Sequence, residues 1–141
     1  MDQLIEFAGN HMLMVVAFIG TLLMLIYSEI SRQNQGFNTI STHDAVNLIN
    51  NEDAAVVDVS SADVYRKAHI SGAWHLPLSQ LKNPGKDIEK LKDRPIIVVC
   101  KSGGSAQAAA SSLVKQGYAS VSLLRGGMSQ WVSDHLPVKT S

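Results

Sequence analysis

The sequence has one cysteine and no excess of either charge, and both shortages restrict the class of protein. Cys100 is the only cysteine among 141 residues, so an internal disulfide is excluded and a secreted, disulfide-stapled fold is not indicated. Twelve lysines and arginines balance twelve aspartates and glutamates, which gives no indication of a nucleic-acid partner. No basic residue precedes Arg32. Two regions therefore stand out: the N-terminal segment without positive charge and the surroundings of the single thiol.

The N-terminal segment is predicted to be a membrane anchor. Residues 12–27, MLMVVAFIGTLLMLIY, contain no charge, and an uninterrupted helix over residues 7–27 is long enough to cross a hydrocarbon core, which takes about 20 residues. The run is apolar all round, whereas a buried core helix is apolar on one face. The other alternative is a cleaved signal peptide, which would show a basic n-region and a small-residue cleavage site. Neither is present, because the residues before the apolar run are acidic and the run leads into YSEISRQNQ. We therefore expect an anchor within residues 1–29, embedded through residues 7–27.

The orientation of the anchor is predicted from charge and from the thiol. Lys and Arg near the ends of a spanning helix favour the cytoplasmic side, and Arg32 follows this helix closely while no basic residue precedes it. A free thiol also persists best in a reducing compartment. Both features predict a cytoplasmic C-terminal domain.

After a polar linker predicted at residues 30–39, the chain alternates between helical and strand-like segments. Ser41 or Thr42 and then Ser61 are suited to cap helices, and Gly117 is suited to end one. Short apolar strands separated by helices predict an α/β fold with a parallel sheet flanked by helices on both faces. The predicted helices are 43–51, 61–69, 88–93, 104–117 and 126–135, and the predicted strands are 54–60, 73–77, 95–100 and 119–124.

Cys100 follows one of the apolar strands, at the sheet edge where parallel α/β folds bind ligands. Gly103 and Gly104 allow the next residues to curl, so that backbone amides point inward as an anion-binding nest, and Lys101 adds positive charge. The start of the following helix contributes to the same field. This setting favours the thiolate, which is the nucleophilic form of cysteine. From the loop alone, a small buried cysteine without reactivity is an equally good interpretation.

Four separated motifs resemble a single-domain rhodanese. They are VVDV at residues 56–59, AHISGAWHLP at 68–77, the cysteine loop, and LLRGGMSQW at 123–131, and together they extend the resemblance over Ile40–Pro137. The resemblance implies a rhodanese-like three-layer fold for a domain placed at residues 40–138. With its anchor, the chain is similar to membrane-anchored rhodanese-like proteins of bacterial inner membranes, which implies that location.

Sulfane-sulfur transfer is the activity that the resemblance implies. The Cys100 thiolate would take the outer sulfur of a donor such as thiosulfate, hold it as a persulfide, and pass it to a thiol or a protein acceptor. Neither a metal nor an organic cofactor is implied. The substrate-binding loop would comprise Lys101, Ser102, Gly103, Gly104 and Ser105.

Some residues depart from the family pattern. Ser105 stands where many thiosulfate sulfurtransferases have a basic residue, and Ser60 replaces the usual arginine after Asp58. Ala68 and Ser71 replace a common glycine and a common proline. These departures fit an alternative function, a non-catalytic membrane-tethered module that binds another membrane protein.

A phosphatase or arsenate reductase is a third interpretation, because related folds carry a cysteine loop that binds phosphate. Such loops need an arginine to hold the oxyanion, and the corresponding residue here is Ala106.

Other residues are assigned roles by their position. Asp58, at a strand end, is predicted to brace a loop. Arg125 precedes two glycines at the same sheet edge as Cys100 and is predicted to attract an anionic donor. Four more residues are predicted to be structural: His69 and His75 as partners of backbone groups, and Trp74 and Trp131 as core aromatics.

Overall fold

The computed structural model describes residues 1–33, 36–101 and 103–140, and the chain divides into two compact units, Met1–Gln35 and Gly36–Ser141. The helices are α1 (Asp2–Asn10), α2 (Met12–Gln33), α3 (Thr42–Asn51), α4 (Ala62–Lys67), α5 (Lys86–Glu89), α6 (Gly104–Lys115) and α7 (Gly127–Ser133). The strands are β1 (Asn38–Ile40), β2 (Ala55–Asp58), β3 (His69–Ile70), β4 (Trp74–His75), β5 (Pro95–Val99), β6 (Ser120–Leu124) and β7 (Val138–Lys139), and a 3-10 turn covers Leu78–Gln80.

The N-terminal unit contains a helix that is long and apolar enough to cross a membrane, judged by length and composition. This candidate span is Met12–Ser31, 20 residues that belong to α2. The prediction of one uninterrupted helix over residues 7–27 is wrong, because the helix breaks at His11, where φ is −123° and ψ is 40°. The His11 ring lies 4.6 Å from that of Phe7 and its Nδ1 lies 3.2 Å from the Phe7 carbonyl oxygen. Residues 7–10 therefore belong to the separate helix α1.

Secondary structure occupies both ends of the segment predicted as a linker. Helix α2 continues to Gln33, since residues 28–33 contain no glycine or proline, and β1 begins at Asn38. Strand β1 pairs with β6, with Thr39 opposite Leu123. A three-residue strand that depends on a distant partner carries no periodic signal of its own.

The second unit is built on a five-stranded sheet of order β1-β6-β5-β2-β4, in which every pair is parallel. Successive strand residues face opposite sides. Val57 and Val98 pack in a core that includes α6, while Val56 and Ile97 pack in a core that includes residues of α3 and α7. The predicted parallel sheet flanked by helices is therefore confirmed. Strand β5, which carries Cys100 at its end, is the central strand.

Local signals in the sequence agree with several element ends. The Ser41 hydroxyl accepts a hydrogen bond from the Asp44 amide at 3.2 Å, as an N-cap does. Gly117 follows α6 with φ +94°. Ser61 precedes α4 as predicted, but its side chain makes no capping hydrogen bond.

Two features differ from the prediction: the exposure of Trp74 on strand β4 and an additional two-stranded ribbon. Trp131 is buried, but Trp74 is 39% exposed, so its assignment to the core is wrong. The reason is topological, because Trp74 lies on the two-residue edge strand β4. A small antiparallel ribbon of β3 and β7, with His69 opposite Lys139, was not predicted either.

Candidate active site

Cys100 lies directly after the central strand and is enclosed by the turn that follows it. Its sulfur accepts a hydrogen bond from the Gly103 amide at 2.9 Å. Gly103 has φ +95°, a conformation that favours glycine, and it is the N-cap of the 12-residue helix α6. One amide of the predicted nest is therefore directed at the sulfur. Cys100 is 4% exposed, so in this conformation the residue is buried.

A second loop, Arg125–Gly127, and the start of helix α7 after it pack against the cysteine loop, and this support was not predicted. The Met128 amide donates to the Cys100 carbonyl at 2.8 Å. The Ser129 amide and hydroxyl both donate to the Lys101 carbonyl, each at 3.0 Å. The glycine pair before α7 was the available signal, since adjacent glycines permit close backbone approach.

Gly127 shows how closely the two loops approach. Its φ is +58°, and a Cβ atom built on it would overlap the Cys100 carbonyl oxygen and lie 3.0 Å from the Gly103 nitrogen. Only a glycine leaves room for this contact without displacing the backbone beside the thiol.

The predicted loop residues differ in exposure. Lys101, Gly104 and Ser105 are exposed on the surface beside Cys100, and Gly103 is partly buried. Ser102 lies outside the described residues. Arg125 is exposed, and its amide donates to the Ile40 carbonyl at 2.9 Å, which fixes the backbone of the second loop against β1. The structure thus brings Arg125 and the cysteine loop to one edge of the sheet through their backbones.

Asp58 is 1% exposed at the end of β2, next to the cysteine strand. Its Oδ1 accepts the Ser60 amide at 2.8 Å, and the His75 Nε2 lies 2.8 Å from the Ser60 carbonyl oxygen. The Val59 amide donates to the Val99 carbonyl at 2.9 Å, which continues the pairing up to the residue before Cys100. Asp58 therefore holds the backbone of a neighbouring loop and makes the contact expected of a bracing carboxylate.

Tyr65, in helix α4, is stacked between the rings of two histidines. Its ring centroid lies 4.0 Å from that of His69 and 4.3 Å from that of His75. The Tyr65 hydroxyl donates to the Ala73 carbonyl at 2.9 Å. Burial, and secondly the negative charge of Asp58, raise the pKa of Tyr65 above its usual value. Both effects favour the neutral, hydrogen-bond-donating form of the phenol.

His69 and His75 were both predicted to be partners of backbone groups. The His69 Nδ1 lies 2.8 Å from the Tyr65 carbonyl oxygen, so the two histidines contact backbone carbonyls as predicted. Within the part of the chain that the structure describes, no group of three or more His, Cys, Asp or Glu residues is arranged to hold a metal ion.

Comparisons with known proteins point to one family. The sequence model of the Rhodanese-like domain matches residues 41–134. The chain is 36% identical over 139 residues to the Uncharacterized protein YibN of Escherichia coli strain K12, covering 98% of this chain and 97% of that protein. It is 33% identical over 99 residues to the Thiosulfate sulfurtransferase GlpE of Coxiella burnetii, covering 70% of this chain and 91% of that protein.

A solved structure supports the same fold. The crystal structure of a thiosulfate sulfurtransferase from Pseudomonas aeruginosa superposes with a TM-score of 0.66 at 28% identity, covering 74% of this chain and 20% of that longer one. A rhodanese-related protein from Thermoplasma volcanium gives a TM-score of 0.65 at 24% identity and is covered over its full length. The latter likeness concerns the fold alone.

Proposed function

The chain belongs to the rhodanese family, and from this membership we propose that it is a sulfurtransferase working through a persulfide on Cys100. The observation that carries the proposal is the hydrogen bond from the Gly103 amide to the Cys100 sulfur, at the start of helix α6. An N–H donor and a helix N-terminus both stabilise negative charge on sulfur. The thiol therefore lies where a nucleophilic thiolate would be stabilised.

The reaction consists of two nucleophilic displacements at sulfur. In the first, the Cys100 thiolate attacks the outer sulfur of thiosulfate, a new S–S bond forms, and the S–S bond of thiosulfate breaks as sulfite leaves with the electron pair. In the second, a thiol or a protein acceptor in its thiolate form attacks the outer sulfur of the persulfide, and the Cys100 thiolate leaves. No proton needs to be transferred by a protein side chain when both nucleophiles are already ionised.

The residues around the thiol supply binding and charge stabilisation in this proposal. The loop of Lys101, Ser102, Gly103, Gly104 and Ser105 would face the anionic donor, with backbone amides as fixed dipoles. Lys101 and Arg125 add two positive charges at the same sheet edge, both exposed to solvent. Asp58 is assigned a positioning role, since it contacts a loop amide and not the thiol.

Sulfur uptake by the full-length chain tests the proposal directly. After incubation with thiosulfate, intact mass spectrometry of the detergent-solubilised protein should show a gain of one sulfur atom, and cyanide should remove it. Cys100 is the single thiol of the sequence, so the mass gain is assigned without digestion. Absence of the gain with thiosulfate and with other sulfane-sulfur donors would contradict the proposal.

The burial of Cys100 supports an alternative function. At 4% exposure the sulfur offers little surface to a donor in this conformation. The alternative is a non-catalytic, membrane-tethered module that binds another membrane protein. It predicts no sulfur uptake, together with co-purification of a partner that is the same for the wild type and for Cys100→Ser.

We also propose that α2 anchors the domain in the bacterial inner membrane with the C-terminal unit in the cytoplasm. The span Met12–Ser31 matches the thickness of a bilayer, and Arg32 follows it at the C-terminal side. The anchor would be the span Met12–Ser31, which passes the predicted end at residue 29 by two residues, and the domain of residues 40–138 would follow it. A small thiol or a protein acceptor would then be met in the cytoplasm.

Replacing Leu22 with arginine, near the middle of the span, is expected to release much of the protein from the membrane. A central arginine raises the cost of insertion by about 2.5–3.5 kcal/mol. The measurement is the fraction that sediments with membranes after alkaline carbonate washing, with Leu22→Ala as the control that should stay bound. Full release of the wild type by carbonate would contradict the anchor, and a C-terminal reporter active outside the cytoplasm would contradict its orientation.

A further inference from the structure

The hydrogen bonds from the start of helix α7 to the cysteine loop single out one residue that the proposed function does not use. The Lys101 carbonyl accepts two hydrogen bonds from Ser129, from the amide at 3.0 Å and from the Oγ at 3.0 Å. The neighbouring Cys100 carbonyl accepts one, from Met128. Met128 therefore contacts the cysteine loop through its backbone amide, whereas Ser129 contacts it through both its amide and its side chain.

We propose that Ser129 is a positioning residue for the Cys100 thiolate. Its hydroxyl fixes the Lys101 carbonyl, and this restrains the turn that directs the Gly103 amide at the sulfur. The inference rests on the proposed sulfurtransferase function for its kinetic consequence. Its structural consequence, the state of the thiol, does not depend on sulfur transfer.

Three steps connect the hydroxyl with the sulfur. The peptide unit is planar, so a carbonyl held at both lone pairs cannot rotate without breaking a hydrogen bond. Gly127 lies against both the Lys101 carbonyl carbon and the Gly103 nitrogen, so a displaced Lys101 carbonyl disturbs the packing that aims the Gly103 amide at the sulfur. A hydrogen bond to a charged sulfur depends on distance and angle, and a looser turn therefore stabilises the thiolate less.

The backbone hydrogen bond of Ser129 explains why the effect should be modest. When the hydroxyl is removed, the Ser129 amide still donates to the Lys101 carbonyl. The side chain is exposed, so water can replace the lost donor. The hydroxyl therefore tunes the loop, while the amide and the contact at Gly127 keep it in place.

Ser129→Ala is the test, with Ser129→Thr as the variant that keeps a hydroxyl. We expect Ser129→Ala to lower kcat/KM for thiosulfate by about threefold, which is about 0.6 kcal/mol at 1.36 kcal/mol per factor of ten. Ser129→Thr should restore most of this loss. Ser133→Ala removes another exposed hydroxyl from the same helix and should behave like the wild type.

Alkylation separates the positioning role from the reaction. Iodoacetamide modifies the single thiol, Cys100; access to this buried residue sets the absolute rate, and the pH dependence of the rate follows the thiolate fraction. In Ser129→Ala the pH dependence of this rate should move upward, because a thiolate that is stabilised less forms at higher pH. Thermal unfolding of each variant checks that the fold is kept.

The outcomes distinguish the two proposals. A wild type that takes up no sulfur, together with an alkylation profile that shifts in Ser129→Ala and returns in Ser129→Thr, contradicts the sulfurtransferase function and supports the role of Ser129. A folded Ser129→Ala variant with an unchanged alkylation profile overturns the inference, whatever the activity of the wild type.

Discussion

Replacing Cys100 with serine should abolish sulfur transfer from thiosulfate, lowering the rate by at least about a thousandfold, because covalent catalysis has no other thiol to use. A serine hydroxyl is not ionised at neutral pH and forms no persulfide. The measurement is thiocyanate production with thiosulfate and cyanide, together with the intact mass after thiosulfate alone.

The fold should survive this substitution, so that the loss reports on chemistry. Serine is close in shape to cysteine, but Cys100 belongs to the core on the α6 side, where a hydroxyl is less favourable than a thiol. Gly103 can donate to the new oxygen, which offsets part of this cost. We expect a fall in the free energy of unfolding of about 1 kcal/mol.

Cys100→Ala is a matched control that should be equally inactive without adding a polar atom. Thiocyanate production retained by both variants would show that Cys100 is not the sulfur carrier.

The sequence was sufficient to predict the sheet because its strands are buried on both faces. All four residues of β2 are buried, and so are the last four of β5, which makes each strand a continuous apolar run. Helix α6 was also clear, since good helix formers lie between Gly103 and Gly117. The apolar strand before Cys100 and the helix after it were enough to predict that this residue lies at the carboxyl end of a strand. What the resemblance added was the chemistry, since a cysteine in that position can also be a small core residue.

The parts that the sequence left undecided depend on contacts between distant segments. Strand β1 exists because it pairs with β6, and the exposure of Trp74 follows from the edge position of β4. The burial of the Cys100 sulfur depends on a turn that folds back on it. None of these features changes the hydrophobic periodicity, so pattern reasoning has no signal for them.

The support of the cysteine loop by residues 127–129 also depends on contacts between segments that are distant in the sequence. The glycine pair was visible in the sequence, but its partner was not, because the contact joins residues 100–103 with residues 126–129 across the sheet edge. Two conditions meet at Gly127, a left-handed backbone and a carbonyl oxygen where a side chain would lie. This makes it the position outside the cysteine loop at which a small substitution should have the largest effect.

Gly127→Ala should lower the free energy of unfolding by about 2–4 kcal/mol, combining the cost of a left-handed alanine with that of a steric overlap. The added Cβ would overlap the Cys100 carbonyl oxygen, and that oxygen already accepts the Met128 amide. Relief requires the two loops to separate, which withdraws the support from the backbone beside the thiol. Sulfur transfer should therefore fall by more than the loss of folded protein explains. Chemical denaturation gives the stability, and thiocyanate production per folded molecule gives the activity.

Gly104→Ala is the stability control, since a Cβ there would meet nothing within 4 Å and its backbone does not adopt a positive φ. Alanine in place of this glycine, at the first position of α6, should leave the free energy of unfolding unchanged or raise it by up to about 1 kcal/mol. The contrast separates the general effect of adding a methyl group near the thiol from the specific contact at Gly127. If both variants were equally stable, the close approach of the two loops would not be a constraint on the fold. If Gly127→Ala were unstable but fully active per folded molecule, the contact would stabilise the domain without positioning the thiol.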